Sequence, residues 1–376
     1  MYRSFVFKLK PTAAQRLALV RYLTVTRMVY NAALEQRQTA FRLTGRAPSW
    51  IVQKREIKQL RAAGLLEGCH VHTVQAALRR LDRAFARFFA GQAGYPRFKA
   101  GRHWRSFEFF EHGNGWRLDT DRQLLRIAAV GQVRVRLHRQ PAGTVKTLTV
   151  VRKADGWYAH VVCEVAAASA HSEPCYGALD LGVQALATLH TGEAILNPRN
   201  LDRAARKLRA EQRALHRKRR GSNRRRKQAD RIARAYLHLA RARRDHLHKV
   251  SRMLANRYTH IAVEDFKVTT MTRSAKGTME QPGRNVRQKA GLNRAILDAG
   301  WAELLSLLEY KLDGGLKKVP AAGTSQDCSG CGQRVPKALA VRWHGCPHCG
   351  TSLNRDHNAA LNIYQRAWAG SVVEAA

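Results

Sequence analysis

The apolar residues at the start of the chain first alternate with polar ones and then change to helical spacing. Every second position of residues 4–10 is apolar, which predicts one short strand. From Pro11 to Ala40 apolar residues recur at helical spacing, which predicts a helix. After a polar loop, residues 72–90 predict a second, amphipathic helix, and a basic loop with glycine and aromatic residues follows over residues 91–105. The apolar positions are Leu17, Val20, Leu23 and Val29 in the first helix and Val74, Leu78, Leu81, Phe85 and Phe88 in the second.

Between residues 106 and 165 the apolar spacing changes to two, and glycine, aspartate and proline mark the turns. This pattern predicts several short strands in a small antiparallel barrel or sandwich. The opening strand could pair into it, which would make the helical part an insertion. The alternating positions are Phe107/Phe109, Trp116/Leu118, Val133/Val135/Leu137, Leu148/Val150 and Tyr158/His160/Val162.

The second half of the chain alternates strands with helices. Residues 178–182 predict an apolar strand that carries one acid, and residues 184–189 and 193–196 predict the hairpin strands that follow. Residues 199–250 predict a long helical stretch that is broken near Gly221. The other predicted elements are a buried strand over residues 260–266, a helix over 292–311 and a strand over 316–320.

The charge of the chain indicates a nucleic-acid partner. It carries 67 Lys+Arg against 27 Asp+Glu, a formal net charge of +40, and twenty of the 52 residues of 199–250 are Lys or Arg. A surface of one sign repels itself unless a polyanion neutralises it, although a solvated helical hairpin is the simpler interpretation of the 199–250 stretch. The sequence has no apolar run of about 18 residues and no signal-peptide core, so we expect a cytoplasmic protein without a membrane partner.

Three acids lie where a charge is expensive to bury. Asp180 lies inside an apolar strand, Glu264 ends another, and Asp356 lies at the start of an apolar helix. If these ends converge, the acids would hold one or two divalent cations, and oxygen ligands favour Mg²⁺ or Mn²⁺. Alternatively, each acid is a strand-end cap or a salt-bridge partner. Asp265 is a rival to Glu264, but neighbours on a strand point to opposite faces, so only one should enter the site.

Four cysteines form two close pairs with the spacing of a structural zinc site. Fourteen residues separate the two pairs, which suits four thiolate ligands around one zinc ion. His344 and His348 lie nearby, but four ligands are already supplied, so we interpret both as bystanders. Only six residues separate the last cysteine from Asp356, so this zinc knuckle can brace the third acid. The four cysteines are Cys328, Cys331, Cys346 and Cys349.

The other cysteines and one histidine pair suggest no further chemistry. Cys69, Cys163 and Cys175 stand alone and are expected to be buried small apolar residues. The segment 70–72 (HVH) resembles the histidine pair of nucleases that use a tyrosine nucleophile. That chemistry needs the pair on a strand and a tyrosine on a nearby helix, whereas here a helix begins at His72 and the next tyrosine is Tyr95 in a loop.

Short motifs follow one another along nearly the whole chain. They are Tyr30-Asn31, residues 73–89 (TVQAALRRLDRAFARFF), 94–99 (GYPRFK), 177–183 (GALDLGV), 263–266 (VEDF), 324–332 (TSQDCSGCG) and 354–363 (NRDHNAALNI). In this order they resemble the TnpB/OrfB family of transposon-encoded RNA-guided nucleases, which are akin to the ancestors of type V CRISPR effectors. Asn354 departs from the family pattern, in which an aspartate is frequent at this position.

The resemblance implies a multidomain α+β and α/β fold. An antiparallel wedge-like β-barrel with an inserted helical recognition lobe would precede a split RuvC-like RNase H fold with a zinc ribbon. The expected boundaries are 1–10 for the first barrel strand, 11–103 for the lobe, 104–168 for the rest of the barrel, 169–323 for the nuclease domain with its basic helical insertion, 324–350 for the ribbon and 351–376 for the last nuclease segment.

The resemblance also implies an activity. Asp180, Glu264 and Asp356 match the RuvC-like catalytic acids, which would bind Mg²⁺ or Mn²⁺, and the four cysteines match the family's zinc site. The protein would be an RNA-guided DNA endonuclease of a transposable element. Its partners would be a guide RNA from the transposon end and double-stranded target DNA with a short flanking motif, and a separate transposase is a further candidate. Two alternatives stay open: a catalytically silent accessory or regulator of transposition that binds nucleic acid, and a guide-independent transposase or resolvase.

Overall fold

The computed structural model describes residues 1–166, 173–338 and 340–369. Contacts between Cα atoms divide the chain into two units, Met1–Ser169 and Ala170–Ala376. In the described ranges, every helix is too short or too polar to cross a lipid bilayer.

Residues 1–166 of the first unit form one antiparallel sheet and three α-helices. The strands are β1 (Tyr2–Lys10), β2 (Ser106–Phe109), β3 (Trp116–Asp119), β4 (Leu124–Ile127), β5 (Gly131–Arg136), β6 (Thr144–Lys153) and β7 (Gly156–Glu164). The helices are α1 (Ala13–Thr44), α2 (Trp50–Ala62) and α3 (Val71–Phe89), and a short 3₁₀ turn spans Gly101–His103.

Strand β1 lies in the middle of this sheet. The strand order is β2-β6-β7-β1-β5-β4-β3, and the sheet is a curled half-barrel. Strand β1 pairs with β7 from Tyr2 opposite Glu164 to Leu9 opposite Trp157, and on its other side with β5. The prediction that the opening strand pairs into the later strands is therefore confirmed, and the three helices are an insertion between β1 and β2.

Helix α1 begins as predicted but buries a different stripe of residues. Thr12 caps its start, because the Thr12 hydroxyl accepts a hydrogen bond from the Gln15 backbone and the Gln15 side chain accepts one from the Thr12 backbone. Leu17 is 75% exposed, whereas Tyr22 is fully buried and stacks on Phe107 of the sheet, with ring centroids 4.7 Å apart. The helix predicted from the spacing of Leu17, Val20, Leu23 and Val29 is therefore confirmed, but Leu17 and Val20 lie on its exposed side.

Helix α2 occupies a segment that we predicted to be a loop. Its buried side chains are Gln53 and Ile57 alone, so the segment has no apolar stripe to reveal it. Gln53 attaches the helix to α1 through polar contacts instead. Its amide donates to the Ala33 carbonyl at 2.9 Å, and its side-chain oxygen accepts from Arg37 at 2.9 Å.

Two strands of the sheet also differ from the prediction. Strand β4 falls in a segment to which no strand was assigned. In β7 the fully buried alternation runs through Ala159, Val161 and Cys163, whereas His160 and Val162 on the other face are only half-buried. Both faces of β7 carry apolar residues, so alternation alone did not fix which face is inside.

The second unit also combines strands and helices. Its described strands are β8 (Tyr176–Leu181), β9 (Ala185–Leu189), β10 (Ala194–Leu196), β11 (His260–Asp265), β12 (Leu316–Pro320), β13 (Trp343–Gly345) and β14 (Ser352–Asn354). Its described helices are α4 (Asn200–His216), α5 (Asn223–Arg257), α6 (Val268–Met271), α7 (Val286–Ala299), α8 (Trp301–Lys311) and α9 (Arg355–Trp368).

A five-stranded mixed sheet organises the second unit. Its order is β10-β9-β8-β11-β12, in which β8, β11 and β12 are parallel and β9 is antiparallel to both of its neighbours. One face packs against residues of α5, α7 and α8, and the other face packs against α9 through Ala178, Ala262 and Ile363. Gly300, in the left-handed conformation at φ 75°, divides the single helix predicted over 292–311 into α7 and α8.

Candidate metal centre

Asp180 and Glu264 lie side by side on two parallel strands. Leu179 of β8 is opposite Val263 of β11, so Asp180 and Glu264 are the next pair along and point to the same face. Two residues earlier on that face, Ala178 and Ala262 pack against α9. Both acids therefore project from the carboxyl ends of their strands on the side of the sheet that α9 covers.

Asp356 lies in the first turn of α9. The Asn354 side chain caps this helix, and its oxygen accepts a hydrogen bond from the Asp356 backbone at 2.8 Å. A helix N-terminus carries partial positive charge and favours an anion. The cap thus fixes the third acid at the end of α9 that is close to the two strand acids.

The pKa of Asp180 indicates that the three acids lie close together. Burial, followed by the charges of Glu264 and Asp356, raises the pKa of Asp180 from its usual range to about 8, and the Arg355 guanidinium opposes the shift. Burial also raises the pKa of Glu264, while a hydrogen bond from Thr324 opposes it. Like charges that are buried together favour a bound cation, which would relieve both the burial and the repulsion.

Asp265 stands apart from this cluster. It follows Glu264 on β11, so its side chain points to the opposite face of the sheet, and it is exposed.

Thr324 supports Glu264, and we did not anticipate it. Its hydroxyl donates a hydrogen bond to the Glu264 carboxylate, and its side chain is buried. The Asn362 side chain donates to the carbonyls of Thr324 and Asp327, each at 2.7 Å, and so ties this loop to α9. A threonine and an asparagine in motifs 324–332 and 354–363 were visible in the sequence, but their pairing across 38 residues was not.

Arg342 is a second residue that the sequence analysis missed. Its guanidinium lies 3.8 Å from the Asp356 carboxylate. It directly precedes β13, whose Trp343 pairs with Asn354 of β14, and its carbonyl accepts a hydrogen bond from the Arg355 backbone at 2.9 Å. The loop between the two cysteine pairs therefore brings a cation to the third acid.

The four paired cysteines form one cluster whose geometry fits a zinc site. Their sulfur atoms lie within 4.8 Å of one another. The distances Cys328–Cys349 and Cys331–Cys346 are both 3.6 Å, and zinc bonds of about 2.3 Å in a tetrahedron separate two sulfurs by about 3.8 Å. Hydrogen bonds from the side chain and backbone of Thr351 lower the pKa of Cys349 to about 6, which favours the thiolate that binds metal. His344 and His348 are outside the cluster.

The three lone cysteines and the histidine pair of residues 70–72 are the remaining candidates from the sequence. Cys69 and Cys163 are buried as expected, but the prediction for Cys175 is wrong: it is exposed, because it precedes β8 at the edge of the core. His70 is the N-cap of α3 and accepts a hydrogen bond from the His72 backbone at 3.3 Å. The pair lies at a helix start rather than on a strand, which agrees with discarding it as a catalytic pair.

Helices α4 and α5 carry the basic stretch 199–250. It contains four acids against twenty Lys and Arg. Leu208 is the buried residue of α4, and from Asn223 to His246 of α5 only Gln228 is buried. Ion pairs of this stretch lie towards the end of α5, for example between Arg243 and Glu303 at 3.8 Å. The two helices therefore present a large cationic surface.

Comparison with known proteins gives matches over most of the chain. A family model described as a probable transposase of the OrfB type matches residues 160–275, a Cas12f1-like TNB domain matches 301–363, and a helix-turn-helix domain matches 1–46. In the structure this last range holds β1 and the single long helix α1.

Full-length relatives complete the comparison. The chain is 35% identical over 373 residues to "Putative RNA-guided DNA endonuclease InsQ" of Escherichia coli (strain K12), which covers 96% of this chain and 91% of the relative. It is 32% identical over 381 residues to a "Putative RNA-guided DNA endonuclease" of Streptomyces pristinaespiralis, covering 98% and 90%. Among solved structures, the mini-RNA-guided endonuclease CRISPR-Cas_phi3 is similar with a TM-score of 0.48 and 10% identity, over 98% of this chain and 92% of that one. The resemblance found in the motifs is confirmed: the chain belongs to the TnpB/OrfB family.

Proposed function

We propose that this protein is an RNA-guided DNA endonuclease of a transposable element, and that Asp180, Glu264 and Asp356 are its catalytic acids. The observation that carries the proposal is the meeting of three sequence-distant carboxylates on one face of the sheet, close enough for two of them to raise the pKa of the third. The two relatives from Escherichia coli and Streptomyces pristinaespiralis, both named as putative RNA-guided DNA endonucleases, support the same activity.

The carboxylates suit a site for Mg²⁺ or Mn²⁺, since both ions prefer oxygen ligands. Two such ions would activate water and stabilise the leaving oxygen of a phosphodiester. The protein's own contribution is positioning: the strands fix Asp180 and Glu264, Thr324 orients the Glu264 carboxylate, and the Asn354 cap fixes Asp356. Arg342 places a guanidinium beside the site, where it can contact a phosphate oxygen. The mixed sheet, with β8, β11 and β12 parallel, supports the RuvC-like, RNase H type of fold that the resemblance implies.

The partners follow from charge and from the relatives. The cationic helices α4 and α5 would bind the phosphates of a guide RNA and its paired target, while base pairing selects the sequence. The protein itself would recognise a short motif in double-stranded DNA beside the target. The domain boundaries proposed for this function are those expected from the sequence, with the nuclease fold split into residues 169–323 and 351–376 by the zinc ribbon of 324–350.

The test is cleavage of a plasmid with a matching target and flanking motif by the protein–RNA complex in Mg²⁺. Asp180→Asn, Glu264→Gln and Asp356→Asn should each lower the cleavage rate by more than about 100-fold, the upper effect of losing a residue that merely supports a metal ligand. Asp265→Asn is the matched control, since this acid neighbours Glu264 but faces away, and it should cut like the wild type. Unaltered cutting by the Asp180→Asn variant would remove that acid from the mechanism.

One observation favours a second function. The family model over residues 160–275 is described as a probable transposase, which suits strand transfer without a guide. A discrete RNA that copurifies with the protein and dictates the cleaved sequence would exclude it. Tight binding of RNA and target without any cutting in Mg²⁺ would instead favour a silent regulator of transposition.

A further inference from the structure

An aromatic pocket lies in the helical part of the first unit, well separated in sequence from the carboxylates. Its volume is about 600 Å³, and its walls are the end of α1, the loop to α2, the end of α3 and the loop after it. The residues that define it here as the aromatic pocket are Phe41, Pro48, Phe85, Phe88, Phe89 and Tyr95.

The base of the pocket is packed, whereas its rim is exposed to solvent. Phe85 is buried, and the Tyr95 ring meets it edge to face, with centroids 5.6 Å apart. Below them the Arg37 guanidinium lies 5.2 Å from the Phe85 centroid and pairs with Asp82 at 3.3 Å. By contrast, Phe41 is 63% exposed and Phe89 is 78% exposed. Large aromatic rings held open to water in this way mark a binding surface.

The charge around the pocket selects among partners. Three exposed arginines each adjoin a residue that lines it: Arg42, Arg46 and Arg87. Residues 37–99 contain 13 Lys and Arg but only three Asp and Glu. A second copy of the chain would place two such cationic surfaces face to face, which Coulomb repulsion opposes. A polyanion that also carries flat apolar rings satisfies both features, and this is the chemistry of unpaired nucleotides.

We propose that the aromatic pocket stacks an unpaired base of the guide RNA, while the arginines on its rim hold the adjacent phosphates. This assignment rests on the proposed function, in which the guide is the resident partner. Exposed aromatic rings favour aggregation. A guide RNA that stays bound between reactions would cover these rings continuously, whereas target DNA would cover them only while it is bound. The pocket would thus bind guide RNA by a contact that base pairing with the target does not supply.

The experiment measures equilibrium binding of a fluorescent single-stranded RNA of mixed sequence to RNA-free protein over a range of salt concentrations. Phe41→Leu and Phe89→Leu keep an apolar side chain but remove the ring, so each should weaken binding by about tenfold. Phe41→Trp and Phe89→Trp restore a stacking ring and should bind like the wild type. Leu43→Ala, at the same helix end and 74% exposed but outside the pocket, is the matched control and should change nothing.

The salt dependence separates stacking from phosphate contact. The slope of log K against log salt should stay the same in the leucine variants and become shallower in Arg42→Ala. Four results would overturn the proposal: leucine variants that bind as the wild type, a slope that changes with the ring, wild-type protein that binds single-stranded DNA of the same sequence more tightly than the RNA, or a dimer in light scattering that the leucine variants disperse. Thermal unfolding of each variant confirms that it folds.

Plasmid cleavage by the wild-type complex keeps the two proposals distinct. If the wild type cuts and the leucine variants bind RNA normally, only the pocket assignment fails. If the leucine variants lose RNA binding while the wild type never cuts, the proposed nuclease fails and the stacking site remains.

Discussion

The cysteine cluster and the carboxylate cluster are neighbours in the second unit, but the scaffold supports them to different degrees. Asp180 and Glu264 follow residues such as Leu179 and Val263, which belong to a buried core, so the sheet holds the two acids in place. Among the described residues from Cys328 to Cys349, by contrast, only Cys328, His344 and Cys346 are buried. A segment with so little core would need a metal ion at the four cysteines to fold.

The cysteine cluster and the carboxylate cluster would use a metal ion in different ways. At the cysteines, the ion would supply the free energy that orders the chain. At the acids, the folding free energy of the sheet holds like charges together, and the ion would relieve the resulting repulsion. The two sites meet where Thr324, just before the first cysteine pair, contacts Glu264 and where Arg342, between the two pairs, contacts Asp356.

The largest effect should come from breaking the cysteine cluster. Cys346→Ser should release zinc, unfold the segment around residues 325–350 and abolish cleavage, because structural zinc contributes roughly 10–16 kcal/mol to small zinc domains. Zinc content, limited proteolysis and plasmid cleavage measure the three consequences. A strong chelator should reproduce the proteolysis pattern in the wild type.

The matched control is Cys175→Ser, which alters an exposed cysteine outside the cluster and should keep zinc, fold and activity. Should the Cys346→Ser variant resist protease as the wild type does, the scaffold rather than the metal holds the segment, and the contrast between the two sites disappears.

A smaller effect should appear when the charge of Asp180 is removed without metal present. The pKa of Asp180 is about 8 in the folded protein against an ordinary value of 3.8, so the folded state retains the proton longer than the unfolded chain. The free energy of unfolding should therefore decrease as pH rises from about 4 to about 8. Asp180→Asn lacks this contribution and should become more stable relative to the wild type over that range.

Thermal unfolding of both proteins against pH measures this difference, at about 2–4 °C for each kcal/mol in a unit of this size. Mg²⁺ should reduce the gap, since the ion binds the deprotonated carboxylates and stabilises the wild type. Parallel pH profiles for the two proteins would show that holding the acids close together costs no folding free energy.

The smallest effect should come from the contact between the two sites. Arg342→Ala removes a cation that competes with metal for Asp356, so Mn²⁺ should bind a few-fold more tightly, in keeping with an ion pair that is partly exposed to solvent. A Mn²⁺ titration followed by electron paramagnetic resonance gives the affinity directly. Arg334→Ala, an exposed arginine of the same loop that contacts Gln326, should leave it unchanged. Weaker Mn²⁺ binding in the Arg342→Ala variant would mean that this arginine supports the metal site instead.

Much of the fold could be predicted because its signals are local. The break between α4 and α5 lies at the turn around Gly221, which the sequence predicted. The spacing of the four cysteines likewise predicted that they form one cluster. Asp180 and Glu264 were conspicuous because a charge interrupts an apolar strand. Helix α2 escaped because polar contacts of Gln53 anchor it, and an apolar pattern cannot report such contacts.

The supporting residues of the site were harder to predict for a related reason. Thr324 and Arg342 lie in loops without any period, and their roles depend on partners that are distant in sequence. Leu17 shows the opposite error, since an apolar residue at helical spacing lies on the exposed face of α1. Periodicity identifies a helix more reliably than it identifies the helix's buried side.

The central position of β1 also constrains how the chain folds during synthesis. Strand β1 pairs with β5 only over Lys8–Lys10, and its pairing from Tyr2 to Leu9 must wait until β7 has left the ribosome. At about 5–20 residues per second, that wait lasts on the order of 10–30 s. During this time most of β1 lacks a paired strand. The inserted helices can already form, because their contacts are local. While the chain is being synthesised, β1 can therefore pair with a wrong strand or with another chain. In the folded protein this risk is gone, because β1 lies in the middle of the sheet.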